Sequence, residues 1–181
     1  EKSIKPFTGK EENDSLVKGS KTKWIVLSSG GNGFVDFNKS LRWFYPGKSP
    51  DKIWYALTGY AAAYIESPQE QKAVISYGSN SFGKIILNGK EVFHTQNPRN
   101  AVPDNDKIPV VLKKGENLLL VKVGNSHANH QLAFFDMIKW EWGFYLRLLN
   151  EDGEVLKNVS AVIPETKKQP DIDIISTFFF K

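Results

Sequence analysis

The sequence contains no cysteine, which excludes disulfide bridges, thiolate metal sites and a cysteine nucleophile. It has only three histidines, His94, His127 and His130. His94 stands alone in a polar stretch and reads as a solvated side chain. His127 and His130 are three apart, so a helix over them would bring them together, but no third metal ligand accompanies them. No Gly-x-Ser-x-Gly elbow occurs. No apolar run approaches the ~20 residues of a membrane-spanning helix, so no membrane span is expected. Charge of one sign is also scarce. Twenty-four basic residues face twenty acidic ones, and the longest basic runs are the pairs Lys113-Lys114 and Lys167-Lys168. A nucleic-acid footprint normally gathers its cations on one face, so no nucleic-acid partner is expected.

Glycoside hydrolysis needs two carboxylates across one cleft. Asp36, Glu66, Asp104, Asp106, Asp136 and Glu141 are available, and none sits in a telling motif. The expectation is a chain without catalytic activity of its own. Asp104-Asn105-Asp106 sets two carboxylates two residues apart, just before a candidate strand. It reads first as a turn after Pro103 and second as weak oxygen-ligand candidates for a structural Ca²⁺.

What the chain has in quantity is aromatic rings, 13% of 181 residues, which suits a β-rich fold, a stacking surface, or both. Residues 1–23 are polar and rich in Gly, Ser and Lys, and read as a linker or loosely draped lead-in; residues 24–181 form the domain. Short apolar runs at 24–27, 34–37 and 73–77 read as strands. Residues 53–65 allow a helix through their alanines, but their tyrosines and β-branched residues favour a strand. The run 78–83 reads as a loop. Residues 84–123 read as two hairpins. One turns at Asn88-Gly89, where both central positions accept positive φ, and the other at residues 113–117. Trp142, Phe144, Leu146 and Leu148 alternate with Gly143, Tyr145, Arg147 and Leu149. Residues 155–163 and 171–180 supply two last candidate strands. Many short strands between turn signals argue for an all-β sandwich or barrel, and the expected form is an antiparallel β-sandwich with little helix, a jelly roll if the resemblance given below holds. Leu87, Val110, Leu112, Leu120 and Phe144 are its expected core.

The order of these pieces resembles the galactose-binding-like β-sandwich of carbohydrate-binding modules and of accessory domains in glycan-degrading enzymes. The residues that carry the resemblance are Gly78-Ser79, KIILNGKEVF at 84–93, Asp104-Asn105-Asp106, residues 108–112, Lys114-Gly115, NLLLVKVGN at 117–125, and Trp142-Gly143-Phe144 with Arg147. Trp24-Ile25-Val26-Leu27 and Trp54-Tyr55-Ala56-Leu57-Thr58 also look like the family's early strands. Two features depart from it. The loop before the first hairpin, Ser79-Asn80-Ser81-Phe82, lacks the family's acidic pair, and residues 126–139 are inserted before the Trp-Gly-Phe strand.

The resemblance implies a non-catalytic module that binds a polysaccharide or oligosaccharide in an extracellular or cell-surface bacterial system. Its alternative is a structural or protein-interaction accessory domain. In that case residues 126–139 and Phe178-Phe179-Phe180 would pack on neighbouring domains of a larger protein. Sugar rings present apolar C–H faces that aromatic side chains stack on. The candidate stacking residues are Trp43, Phe44, Tyr45, Phe82 and Trp140. Arg99 and Asn100, with Gln96 and Asn97, are candidate hydrogen-bonding groups on the link between the hairpins. For Trp43-Phe44-Tyr45, beside Pro46-Gly47, a ligand site and a core plug are both open readings.

Overall fold

The computed structural model of the chain describes residues 11–13, 21–23, 25–37, 58–80, 82–97, 99–124, 142–162 and 177–180. Strands make up most of them, and every pairing is antiparallel. Within the lead-in, β1 (Glu11–Asn13) pairs with β2 (Lys21–Lys23). The large sheet has seven strands. It holds β3 (Ile25–Ser28), β5 (Thr58–Ser67), β7 (Phe82–Leu87), β8 (Lys90–Thr95), β10 (Gly115–Gly124), β12 (Ser160–Val162) and β13 (Thr177–Phe180). Its order is β3-β13-β5-β10-β7-β8, with β12 also on β5. The small sheet has four strands, β4 (Phe34–Asp36), β6 (Gln71–Ser79), β9 (Asp106–Leu112) and β11 (Gly143–Leu149), in the order β4-β11-β6-β9.

Side chains of a strand alternate between its faces, and here the inward sets of both sheets meet in one core. The small sheet contributes Val35, Ile75, Tyr77, Ile108, Val110, Leu112, Phe144, Leu146 and Leu148. The large sheet contributes Ala61, Ala63, Ile65, Ile85, Leu87, Leu119, Val121 and Val123. Trp142 joins the layers: it is buried, stands edge-on to Phe37 at 5.3 Å, and donates its indole N–H to the Val123 carbonyl of β10 at 3.1 Å. The all-β sandwich expected from the alternation is therefore the fold. All five expected core residues are buried. Leu120 departs from expectation in one respect, since it belongs to a separate outer-face cluster with Ala62 and Ile86.

The first hairpin stands as expected. Asn88 and Gly89 take φ of 51° and 78°, and β7 pairs with β8. The second hairpin does not exist. β9 pairs with β6 in the small sheet, and β10 pairs with β5 and β7 in the large one, so residues 113–114 cross between layers as an arch. The reason is that the two connections share one pattern. An arch also needs apolar residues at every second position, a glycine with positive φ (Gly115, +84°), and polar groups that satisfy the turn. Asn117 meets the last need from inside: its side chain bonds the Lys113 N–H and the Lys113 and Gly115 carbonyls at 2.8–2.9 Å.

Two further differences are smaller. Most of the expected loop at 78–83 is strand instead, because β6 runs through Ser79 and β7 begins at Phe82. Phe178-Phe179-Phe180 lie in β13, whose backbone pairs with β3 and β5, so this run is an integral strand of the large sheet. Residues 126–139, with His127 and His130, lie outside the described residues.

Candidate functional site

The outer face of the large sheet is ordered in rows that run across the strands. Residues in register on neighbouring strands share a row, and rows two residues apart share a face. One row is apolar: Ala62, Leu120 and Ile86 are paired across β5, β10 and β7. The next is basic. Tyr60, Lys122, Lys84 and His94 stand side by side on β5, β10, β7 and β8. The third is Thr58, Gly124 and Phe82, at the end of the sheet. The last two rows border a groove of about 550 Å³, lined also by Glu91, Thr95 and Gln96.

Phe82 is 37% exposed, a large apolar side chain at the wet end of a strand. Its cross-strand partner is a glycine, and the ring occupies the space that a side chain there would take. A Cβ on Gly124 would meet the Phe82 Cβ at 3.3 Å and Cδ2 at 3.4 Å. The missing side chain thus lets the ring lie over the neighbouring strand.

Electrostatics shape the rest. Glu91 accepts the Lys84 ammonium at 2.9 Å and His94 Nδ1 at 2.8 Å. The Lys84 ammonium, with His94 on the other side, holds the Glu91 carboxyl below the usual carboxylate range. Lys122 lies over the Tyr60 ring, 5.3 Å from its centroid. Lys122 and Lys84 are directly opposite one another in register, an unfavourable placement for like charges.

A β-bulge creates this arrangement. Counting back evenly from the Asn88-Gly89 turn sets Lys84 against Phe93. The ladder shifts between Ile85 and Ile86, so Lys84 instead faces His94, and Ile85 faces Phe93. The extra residue turns Phe93 inward, where its ring meets Tyr77 edge-on at 5.8 Å, and turns His94 out beside Glu91.

The sequence-expected site residues fare differently. Phe82 lies in the groove with Gln96. Arg99 does not join it as a free hydrogen-bonding group. Its guanidinium is bidentate to Asp106 and also donates to the Ser79 carbonyl at 3.1 Å, which makes it a clamp on the end of β6. Asn100 is exposed on the same link. Trp43, Phe44, Tyr45 and Trp140 lie outside the described residues.

Asp104 and Asp106 are each engaged by their own arginine. Asp104 takes Arg147, at 2.8 Å from Nε and again through the terminal nitrogen, together with the Ser76 hydroxyl. The Arg147 guanidinium beside it holds the Asp104 carboxyl below the usual range. A divalent cation would have to displace a guanidinium at each aspartate, and the described residues contain no group of three or more His, Asp or Glu side chains suited to a metal. The contacts instead make the aspartates struts: they pin residues 99–106 across the outer face of the small sheet.

Sequence reasoning missed Lys84, Glu91 and Lys122. The bulge hid the first pair, and Lys122 reaches the site only through long-range strand pairing. A larger concavity, of about 810 Å³, lies where β9 nears the β7–β8 turn. Its floor is aliphatic (Val74, Leu87, Val92, Pro109 and Val111), and no aromatic residue lines it among the described residues.

No family model, no curated protein and no solved structure matches the chain, so the functional reading rests on geometry.

Proposed function

We propose that this is a non-catalytic carbohydrate-binding β-sandwich of the galactose-binding-like kind, serving an extracellular bacterial glycan-acting system, with its ligand in the Phe82 groove. The observation that carries the reading is an exposed ring beside a dense set of polar groups. Phe82 offers a flat apolar face, and Lys84, Glu91, His94, Thr95 and Gln96 offer donors and acceptors around it. A sugar needs both, since its C–H face is apolar and its rim is hydroxylated. Glu91 is already held by two donors, so its free lone pairs can accept from ligand hydroxyls without a change of rotamer.

Affinity electrophoresis against a panel of soluble polysaccharides tests this. Retardation of the native chain by at least one glycan, weakened by Phe82→Ala at unchanged melting temperature, is the expected result. A folded chain that no glycan retards, or a glycan whose affinity is indifferent to Phe82, overturns it. A second reading, an accessory module that binds other protein domains, is favoured by Val102, Val111 and Val155, each 44–52% exposed. The same screen separates the two, because this reading requires no retention by any glycan.

A further inference from the structure

The aliphatic concavity of about 810 Å³ shares no lining residue with the Phe82 groove. β8 ends the large sheet, β9 ends the small one, and both strands line it. It reaches both faces of β9: Val110 points into the core, while Pro109 and Val111 point outward beside Val74 of β6. Val92 is the extra residue of the β8 bulge. Ile86 pairs with Glu91 and Ile85 with Phe93, which leaves Val92 between them, at the cleft. The charges gather at one end. Lys72 is in register with Val111, and Lys113 follows two residues on. Lys90 follows the Asn88-Gly89 turn, and the Asn88 amide and the Lys113 N–H both bond Asn117 Oδ1, so the two lysines flank the same junction. Val74 and Pro109 form the row two residues further from that end, about 6–7 Å along the strands. Glu151 is the one acid among the lining residues, and it takes the Lys72 ammonium at 3.0 Å. Lys90 and Lys113 have no carboxylate partner among the described residues.

We propose that this cleft binds a free aliphatic carboxylate of medium chain length, with its acid group at Lys90 and Lys113 and its chain over Val92, Val74 and Pro109. An aliphatic floor with cations at one end complements a ligand that is apolar along its length and anionic at its tip. The cleft's volume lies within the ~300–1,000 Å³ of pockets that enclose small ligands. Contact with the methylenes supplies the attraction, and the lysines set the orientation. A sugar finds no ring to stack on here, since no aromatic residue lines the cleft among the described residues. A peptide is the competing ligand, and it would gain most by adding a strand to β8 or β9. Both edges resist that. β9 carries Pro109, which offers no N–H, and β8 carries the bulge. A peptide would lose main-chain bonds that an aliphatic chain never needs.

The experiment titrates the full chain with decanoate, decanol and butyrate, each below its micelle concentration, and follows heat and backbone amide shifts. Decanoate should bind about tenfold tighter than decanol, through its charge, and at least tenfold tighter than butyrate, through its chain. Salt should narrow the first gap and leave the second. The amides that shift should include Val92, Val111 and Lys113. Lys90 and Lys113 are exposed, so the double variant Lys90→Gln, Lys113→Gln should fold and bind decanoate no better than decanol. Val111, 52% exposed, gives the second variant: Val111→Asp should weaken both long-chain ligands at unchanged melting temperature. Should a variant fail to fold, the native chain's ranking of the three ligands and its amide shifts decide. Equal binding of decanoate and decanol, binding of neither, shifts away from the cleft, or an unchanged preference in the double variant overturns the proposal. Tighter binding of an aliphatic peptide with a free C-terminal carboxylate also overturns it, as does capture by anionic phospholipid vesicles without binding of monomeric decanoate.

Discussion

Asn88 and Asn117 meet side chain to side chain: Asn88 Nδ2 donates to Asn117 Oδ1 at 2.8 Å. The first sits in the tight turn of the β7–β8 hairpin, and the second sits on β10 just past the arch. Asn88 also accepts from the Leu118 N–H at 3.0 Å, while Asn117 reaches the Ile65 carbonyl of β5 at 3.4 Å. One pair of amides therefore ties a hairpin, an arch and two neighbouring strands. Asn117 is fully buried, so its bonds have no water to replace them. Asn117→Ala should cost about 2–4 kcal/mol, the net value of several buried hydrogen bonds plus carbonyls left unpaired. Urea denaturation measures it; a loss below ~0.5 kcal/mol would mean that the arch is held by its backbone alone.

Gly78 and Gly143 make a second, sharper prediction. A Cβ on Gly78 would lie 1.7 Å from the Val102 carbonyl oxygen, and one on Gly143 would lie 2.0 Å from that of Val35. Both obstacles are backbone, which cannot swing aside as a side chain can. Either alanine variant should lose more than about 3 kcal/mol or fail to fold. Gly31→Ala is the control, since nothing lies within 4 Å of its added Cβ. It should stay within about 0.5 kcal/mol of the native chain, and a comparable loss in all three would point to glycine flexibility rather than close packing.

How much of this was legible in the sequence follows from what each feature depends on. The hairpin at Asn88-Gly89 is a local matter of positive φ, and it could be read directly. Trp142, Phe144, Leu146 and Leu148 alternate over a long enough run to mark their inward face, and all four are buried. The turn at 113–117 was misread because alternation fixes which face is inward but not which sheet a strand joins. Leu120 was expected inside and is buried, yet on the other face of the large sheet, because the outward row Ala62–Leu120–Ile86 is apolar too. Phe82 was legible as an exposed ring near polar groups. Its companions Lys84, Glu91 and Lys122 were not, because one bulge and one long-range pairing bring them together.

The strap over the small sheet should respond to acid. The Arg147 guanidinium, aided by the Ser76 hydroxyl, holds the Asp104 carboxyl below its unfolded value near ~3.9. A depressed carboxylate contributes stability that is present above the unfolded value and is lost as pH falls through the lower folded one. Asp104 and Arg147 are 33% and 42% exposed, so solvent screens much of the pair. Asp104→Asn should therefore cost only about 1 kcal/mol at neutral pH and flatten the loss of stability at the acid end. Melting curves from neutral pH to about pH 2 measure this. An unchanged acid limb in the variant would show that Asp104 is not a contributor.

The proposed glycan site can be probed through Gly124, which borders the groove but has no side chain to bond a ligand. Gly124 faces Phe82 across the ladder, and the ring fills the space above it. In Gly124→Val the new side chain meets the Phe82 Cβ as well as the ring, so the ring must turn and the paired strands give by a few tenths of an ångström. Stability should change by less than about 1 kcal/mol, while the ring leaves the position in which it borders the groove. Aromatic stacking is worth ~1–3 kcal/mol per ring in other ligand systems, and a sugar face stands at the lower end, so affinity for the best-bound glycan should fall about tenfold. Trp43→Ala supplies the contrast. If Trp43→Ala abolishes binding and Gly124→Val leaves it intact, the ligand belongs to the Trp43-Phe44-Tyr45 cluster, and the Phe82 groove is only a cleft at the end of the large sheet. If Gly124→Val alone weakens binding, the position of one ring, set by one absent side chain, determines the site.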